Sequence, residues 1–131
     1  ALAACAKVGL DLGIAYEAIA ASSGNSFVHE TEGQVILNGS RDINFAMDLV
    51  KKDVGLFIAM AKEAGMELEL GNLVAEIFDD GIERYGPREW SPNIIKRSED
   101  DYNIEVITPG FPAEMLDDEP EEFVGEIRVR H

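Results

Sequence analysis

Apolar residues recur at three- and four-residue spacing through the first 86 positions, and short polar breaks interrupt them, which predicts a succession of helices. Ala1 to Lys7 reads as the last turns of a helix ended by Gly9, after which Asp11 offers an N-cap for a second helix running to Ala21. Leu12, Ala15, Tyr16, Ile19 and Ala20 give that helix one apolar face. The run Ser22-Ser23-Gly24-Asn25-Ser26 supplies a break and fresh capping side chains, and a third helix is expected from Phe27 to Leu37, stopping at Asn38-Gly39.

The longest uninterrupted segment lies between about Asn44 and Ala64, with no proline and only Gly55 to weaken it. At 100° per residue its apolar positions, Phe45, Leu49, Val50, Val54, Leu56, Phe57, Met60 and Ala61, cover more than half the circumference, the pattern of a central and largely buried helix. Asp53 projects between Leu49, Leu56, Phe57 and Met60, so a partner is required for its carboxylate, with Lys52 or a neighbouring helix N-terminus as candidates. A fifth helix is expected over Asn72 to Tyr85 and is stopped by Gly86-Pro87. Ser91-Pro92 can open one more short helix through Arg97. The fold class is therefore all-α, with residues 1–86 as a helical domain and 87–131 as a short helix followed by an irregular acidic tail. Residues 108–126, with Pro109, Gly110, Pro112 and Pro120 and a run of carboxylates, read as extended rather than packed. Val106-Ile107 and Ile127-Arg128-Val129 would be strands only if something paired with them.

Composition narrows the function. Twenty-six acidic residues against eleven basic ones give a formal charge of −15, which repels a phosphate backbone and an anionic membrane alike. Nucleic acid and membrane are therefore excluded as expected partners. Lys7, Asp11 and Glu17 break the N-terminal apolar stretch far short of the roughly 20 residues that span a bilayer. The single cysteine, Cys5, leaves stability to packing and suits a reducing cytoplasm. The Ala-Leu-Ala-Ala start, with neither initiator Met nor basic leader, reads as part of something longer.

Candidate chemistry is sparse. Neither a G-x-G-x-x-G nor a G-x-x-x-x-G-K-[ST] run occurs, and His29, His131 and Cys5 are too scattered for zinc. Ser22, Ser23 and Ser26 near His29 read as helix caps before nucleophiles. The pairs Asp79-Asp80, Asp100-Asp101 and Asp117-Asp118 read as solvated charge. Lys52-Asp53 stands apart, an ammonium at the edge of a polar face beside a carboxylate on the apolar one, although a structural ion pair fits the same pattern.

The stretch Phe45-Ala-Met-Asp-Leu49-Val-Lys-Lys52-Asp53-Val-Gly-Leu56 resembles the F-x-x-x-L-x-x-K-D-L-x-L signature of the β-hydroxyacid dehydrogenases, the family of 3-hydroxyisobutyrate dehydrogenase and tartronate semialdehyde reductase, with Val54 in place of leucine. Ala21-Ser22-Ser23-Gly24-Asn25-Ser26 is similar to that family's A-S-S-G-x-S break, and Ala61-Lys-Glu-Ala-Gly65-Met-Glu-Leu68 to its A-x-x-x-G-x-x-x-P segment, with Leu68-Glu69 at the proline. The resemblance implies the multi-helix C-terminal domain of a 6-phosphogluconate dehydrogenase-like fold, packed on an N-terminal Rossmann domain and forming a homodimer or higher homo-oligomer. It implies NAD or NADP as cofactor and a small hydroxy acid as substrate. It makes Lys52 the cofactor-contacting residue and Asp53 a residue that holds the helix, and it leaves Ser22, Ser23 and Asn25 as structure. No catalytic residue and no metal ligand is carried over, because the family's general-acid lysine matches nothing in these 131 residues, and the chain alone is expected not to turn over. Arg88-Glu89-Trp90-Ser91-Pro92-Asn93 lies outside the general pattern, Trp90 being a candidate for packing or for covering a partner subunit. The reading from another class is a non-catalytic helical oligomerisation or interaction domain, in which Lys52-Asp53 is an ion pair and nothing more.

Overall fold

The computed structural model describes residues 1–115, and the expectations for Asp117-Asp118 and for Ile127 to Val129 fall outside them. Six α-helices follow one another: α1 Leu2–Lys7, α2 Leu12–Ala20, α3 Phe27–Asn38, α4 Met47–Glu63, α5 Glu69–Tyr85 and α6 Lys96–Tyr102, the last entered through a 3-10 turn at Ser91–Ile95. No strand forms among the described residues, and the chain is all-α as the pattern implied.

Capping fixes the helix ends. Asp11 accepts from the Ile14 N–H at 2.9 Å and starts α2, and Ser26 accepts from the His29 N–H at 3.0 Å and starts α3. Gly39 ends α3 at φ +89, where the left-handed backbone favours glycine and its N–H returns to Val35 and Ile36. The expected fifth helix begins three residues earlier than its apolar pattern, because Glu69 and Leu70 add a first turn that buries little. The short helix expected to close at Arg97 runs on to Tyr102, where Asn103 takes a left-handed conformation.

The main core is assembled from both ends of the described chain. Leu12, Tyr16, Leu37 and Val106 are buried together, with Leu2, Cys5, Ile36, Ile95, Ile104 and Phe111 packed around them. Residues 103–113 form a strap across the end of α3: the Thr108 N–H donates to Leu37 O at 2.9 Å, Asn38 Nδ2 to Phe111 O at 2.8 Å, and Ser40 Oγ to Ala113 O. The beginning of the expected loose tail is therefore docked. Val106, Phe111 and Ile107 supply the reason: Val106 is fully buried, Phe111 meets the Tyr16 ring edge-on, and Ile107 lies over the face of Gly39, which has no side chain to obstruct it.

A buried ion pair pins the strap. Arg41 Nη2 donates to both Glu99 carboxylate oxygens at 2.7 Å, and Glu99 Oε1 also accepts the Val106 N–H at 2.9 Å. Helices α4 and α5 form a long antiparallel hairpin joined to the rest chiefly at its base, where Met47 is fully buried and Gly81 makes room for Ile94 and Met47. A Cβ at Gly81 would collide with Ile94 Cδ1.

One expectation fails here. The fourth helix is not buried: Met47 and Ala61 are its only buried residues, while Leu56, Phe57 and Met60 are 63%, 55% and 60% exposed. Asp53 is exposed with them, so burial imposes no penalty on its carboxylate within this chain. The apolar arc is wider than the strip that α5 and the 3-10 turn cover, and the remainder faces outward.

Candidate functional site

Lys52 lies in the second turn of α4, whose start is fixed by the segment that follows α5. Gly86 turns the chain at φ +100, and residues 87–91 then run back along the first turn of α4. The Met47 N–H donates to Glu89 O at 2.9 Å and the Asp48 N–H to Pro87 O at 3.0 Å, while the Ser91 N–H donates to Phe45 O at 2.7 Å. These bonds satisfy orphan donors of a helix start that has no side-chain cap. Trp90 is half-buried and forms an antiparallel backbone bridge with Ala46.

Within that frame the Lys52 ammonium sits 3.0 Å from Asp53 Oδ1, with 59% and 54% of the two side chains exposed. Asp53 has the partner that its position called for, but as a surface pair, which by itself adds little stability. Asp48, one turn earlier, is held by Arg88 Nη1 at 3.1 and 3.3 Å. Sequence reading missed this contact because forty positions separate the two residues, and only the turn at Gly86-Pro87 brings them together.

Lys52 fits a contact with an anionic or electron-rich group approaching from solvent, since its ammonium is accessible and held by one carboxylate oxygen. No Gly-rich phosphate cradle occurs in the sequence. No group of three or more potential metal ligands occurs among the described residues, and none of their helices is long and apolar enough to cross a membrane.

The remaining candidates resolve into structure. Ser22 and Asn25 shape the turn before α3: Ser22 Oγ donates to Ile19 O and accepts the Gly24 N–H, and Asn25 Nδ2 donates to Glu30 at 2.6 Å. His29 stacks on Tyr16 with ring centroids 4.5 Å apart, and its Nε2 lies 3.0 Å from Tyr16 O. The acidic pairs are more than solvated charge. Asp79 pairs with Lys51, Asp80 with Arg84 and Arg97, Asp101 with Arg84, and Asp100 accepts from the Tyr85 hydroxyl at 2.6 Å. The Arg97 guanidinium, followed by that of Arg84, holds the Asp80 carboxyl below the usual carboxylate range.

Comparison with known proteins places the chain in a family. Residues 1–97 match the family described as NAD-binding of NADP-dependent 3-hydroxyisobutyrate dehydrogenase. The chain is 36% identical over 76 residues to 2-(hydroxymethyl)glutarate dehydrogenase of Eubacterium barkeri, covering 57% of this chain and 25% of that protein. It is 28% identical over 78 residues to L-threonate dehydrogenase of Escherichia coli K12, covering 60% of this chain and 26% of that one. The chain thus matches about a quarter of the length of each of these relatives. With the helical architecture and three-quarters of its residues inside the family's span, this chain belongs to the 3-hydroxyisobutyrate dehydrogenase NAD-binding family, a domain of the β-hydroxyacid dehydrogenases.

Proposed function

We propose that this chain is the helical domain that completes the active site of an NAD(P)-dependent β-hydroxyacid dehydrogenase, with Lys52 at the edge of the nicotinamide and substrate cleft. The observation that carries the reading is the accessible Lys52-Asp53 pair on α4, inside the Phe45 to Leu56 signature and inside the matched span. The relatives are named for 2-(hydroxymethyl)glutarate and L-threonate, both hydroxy acids, and a small hydroxy acid or its semialdehyde is the corresponding substrate class here.

When bound, the nicotinamide supplies or accepts the hydride. The part played by this chain is positioning and charge: the Lys52 ammonium favours a negative or electron-rich group beside it, and Asp53 keeps that ammonium oriented. No described residue stands beside Lys52 in the role of general acid, so proton transfer belongs to another part of the enzyme, and the 131 residues alone are inactive. The exposed apolar side of α4 and the tip of α5 are covered, in this reading, by a Rossmann domain and a second subunit. The single Cys5 suits a cytoplasmic setting.

Replacing Lys52 with Met in the intact enzyme raises KM for cofactor or substrate about tenfold or more, the worth of one charged hydrogen bond. Steady-state kinetics on the purified enzyme is the measurement. Unchanged constants would transfer the chain to the interaction-domain reading, in which Lys52 has no chemical duty.

A further inference from the structure

Arg88 is held on Asp48, one turn before Lys52 on α4. Of the four arginines among the described residues, three are engaged by structural carboxylates: Arg41 on Glu99 at 2.7 Å, Arg84 on Asp101 at 2.7 Å and on Asp80 at 3.0 Å, and Arg97 on Asp80. Arg88 differs. It is 72% exposed, its contacts with Asp48 are longer at 3.1 and 3.3 Å, and both are made by Nη1 alone. Its Nε and Nη2 hydrogens, the side-on edge that grips a planar oxyanion with two parallel hydrogen bonds, have no partner among the described residues.

The position of this edge is set by backbone. Residues 87–91 are tied to the first turn of α4 through the Pro87 and Glu89 carbonyls, which also occupy the first-turn N–H groups of α4. An anion arriving here is therefore met by side chains and not by the helix terminus. Asp48 and Lys52 are four residues apart on α4 and so are neighbours on its surface, with Cβ atoms about 5–6 Å apart. Helical side chains lean toward the N-terminus, which inclines Lys52 toward the Asp48 and Arg88 end. Asp48 holds one nitrogen of Arg88, and Asp53 holds Lys52, so each cation is oriented by a carboxylate while donors remain on its outer side.

We propose that Arg88 is a substrate-binding residue that grips the carboxylate of the hydroxy acid side-on, with Lys52 as the second cation of the same site. This rests on the reading of Lys52 as a cleft residue and adds to it a residue, a ligand group and a geometry. The planar fork selects a carboxylate and discriminates against an uncharged ester of the same acid, because the ester offers no anionic pair of oxygens.

The test uses the intact dehydrogenase, oxidising 3-hydroxyisobutyrate and, in parallel, its methyl ester. For Arg88→Gln the expected result is a tenfold or greater rise in KM for the acid, with kcat and the cofactor KM changed less than twofold and the ester kinetics unchanged. Arg88→Lys, which keeps charge and loses the fork, recovers only part of the loss. An unchanged KM for the acid overturns the proposal, and so does a rise confined to the cofactor KM, which would assign Arg88 to a cofactor phosphate. If the wild-type enzyme oxidises neither compound, 3-hydroxyisobutyrate is not its substrate, and the kinetic comparison is made with 2-(hydroxymethyl)glutarate and L-threonate, the acids for which the relatives are named. Arg88 is also judged, independently of turnover, in the 131-residue chain by the Nε–Hε NMR signal on titration with each acid. A saturable shift absent with the methyl ester sustains the carboxylate site, and no shift overturns it.

Discussion

At the scale of single residues, the strongest determinant is the Arg41–Glu99 pair. Arg41 holds a left-handed backbone at φ +56, its side chain is more than nine-tenths buried, and its Nε has no hydrogen-bond partner among the described residues. A guanidinium placed at that cost depends on the two oxygens of Glu99, and those oxygens also carry the Val106 N–H. Glu99→Gln removes the charge while keeping the shape, and leaves Arg41 buried without a counter-ion. The expected loss is about 3 kcal/mol in urea unfolding of the 131-residue chain. A loss below about 1 kcal/mol would mean that the strap is held by its apolar contacts alone. Neither residue carried a signal in the sequence: Arg41 reads as a loop cation and Glu99 as one carboxylate in an acidic helix, and their pairing exists only after α3 and α6 have packed.

At the scale of elements, the α4–α5 hairpin behaves differently from the helices before it. Its existence and length were legible, because period and breaks suffice to mark a long helix and its end. Its burial was not legible, because an apolar arc states that a face is to be covered and not which chain covers it. Leu56, Phe57 and Met60 on α4 and Leu70 and Leu73 on α5 remain open. Leu56→Gln, a change between two good helix formers, is therefore expected to alter the stability of the 131-residue chain by less than about 0.5 kcal/mol. If a Rossmann domain or second subunit covers this face as proposed, the same change in the intact enzyme costs about 1.5 kcal/mol or more. Thermal unfolding of both forms checks the contrast, and a loss of 2 kcal/mol in the isolated chain would show that the face is already packed. The site divides in the same way. Lys52 and Asp53 could be read from a contiguous signature, whereas Arg88 could not, since its relation to Asp48 depends on a turn and on backbone pairing that leave no pattern in side-chain chemistry.

At the scale of the whole molecule, a charge of −15 makes acid titration the main lever on stability. Two carboxyls respond in opposite directions. Asp80, held low first by Arg97 and then by Arg84, contributes stability above its unfolded pKa of about 3.9, and this is lost as pH falls through its lowered folded value. Glu32 on α3 is pushed up by burial, so its contribution is full below about pH 4.3 and is lost as pH rises through the raised folded value. Glu32→Gln removes that loss: the variant is expected to be more stable than the parent at pH 7 and to converge with it near pH 4, measured as unfolding midpoints across the range. A variant that is less stable at pH 7 would show that the Glu32 carboxylate has a partner.

The docking of the strap on α2 and α3 also has a consequence during synthesis. Leu12 and Tyr16 are made before the Val106 and Phe111 side chains that seal them, which follow roughly 90 residues later. At about 5–20 residues per second, the first apolar faces wait on the order of 5 to 20 seconds for their own lid. During that interval the nascent chain presents Leu12, Tyr16 and Leu37 to any chaperone or neighbouring chain. A pause placed between the codons for Tyr102 and Phe111 would lengthen that exposure.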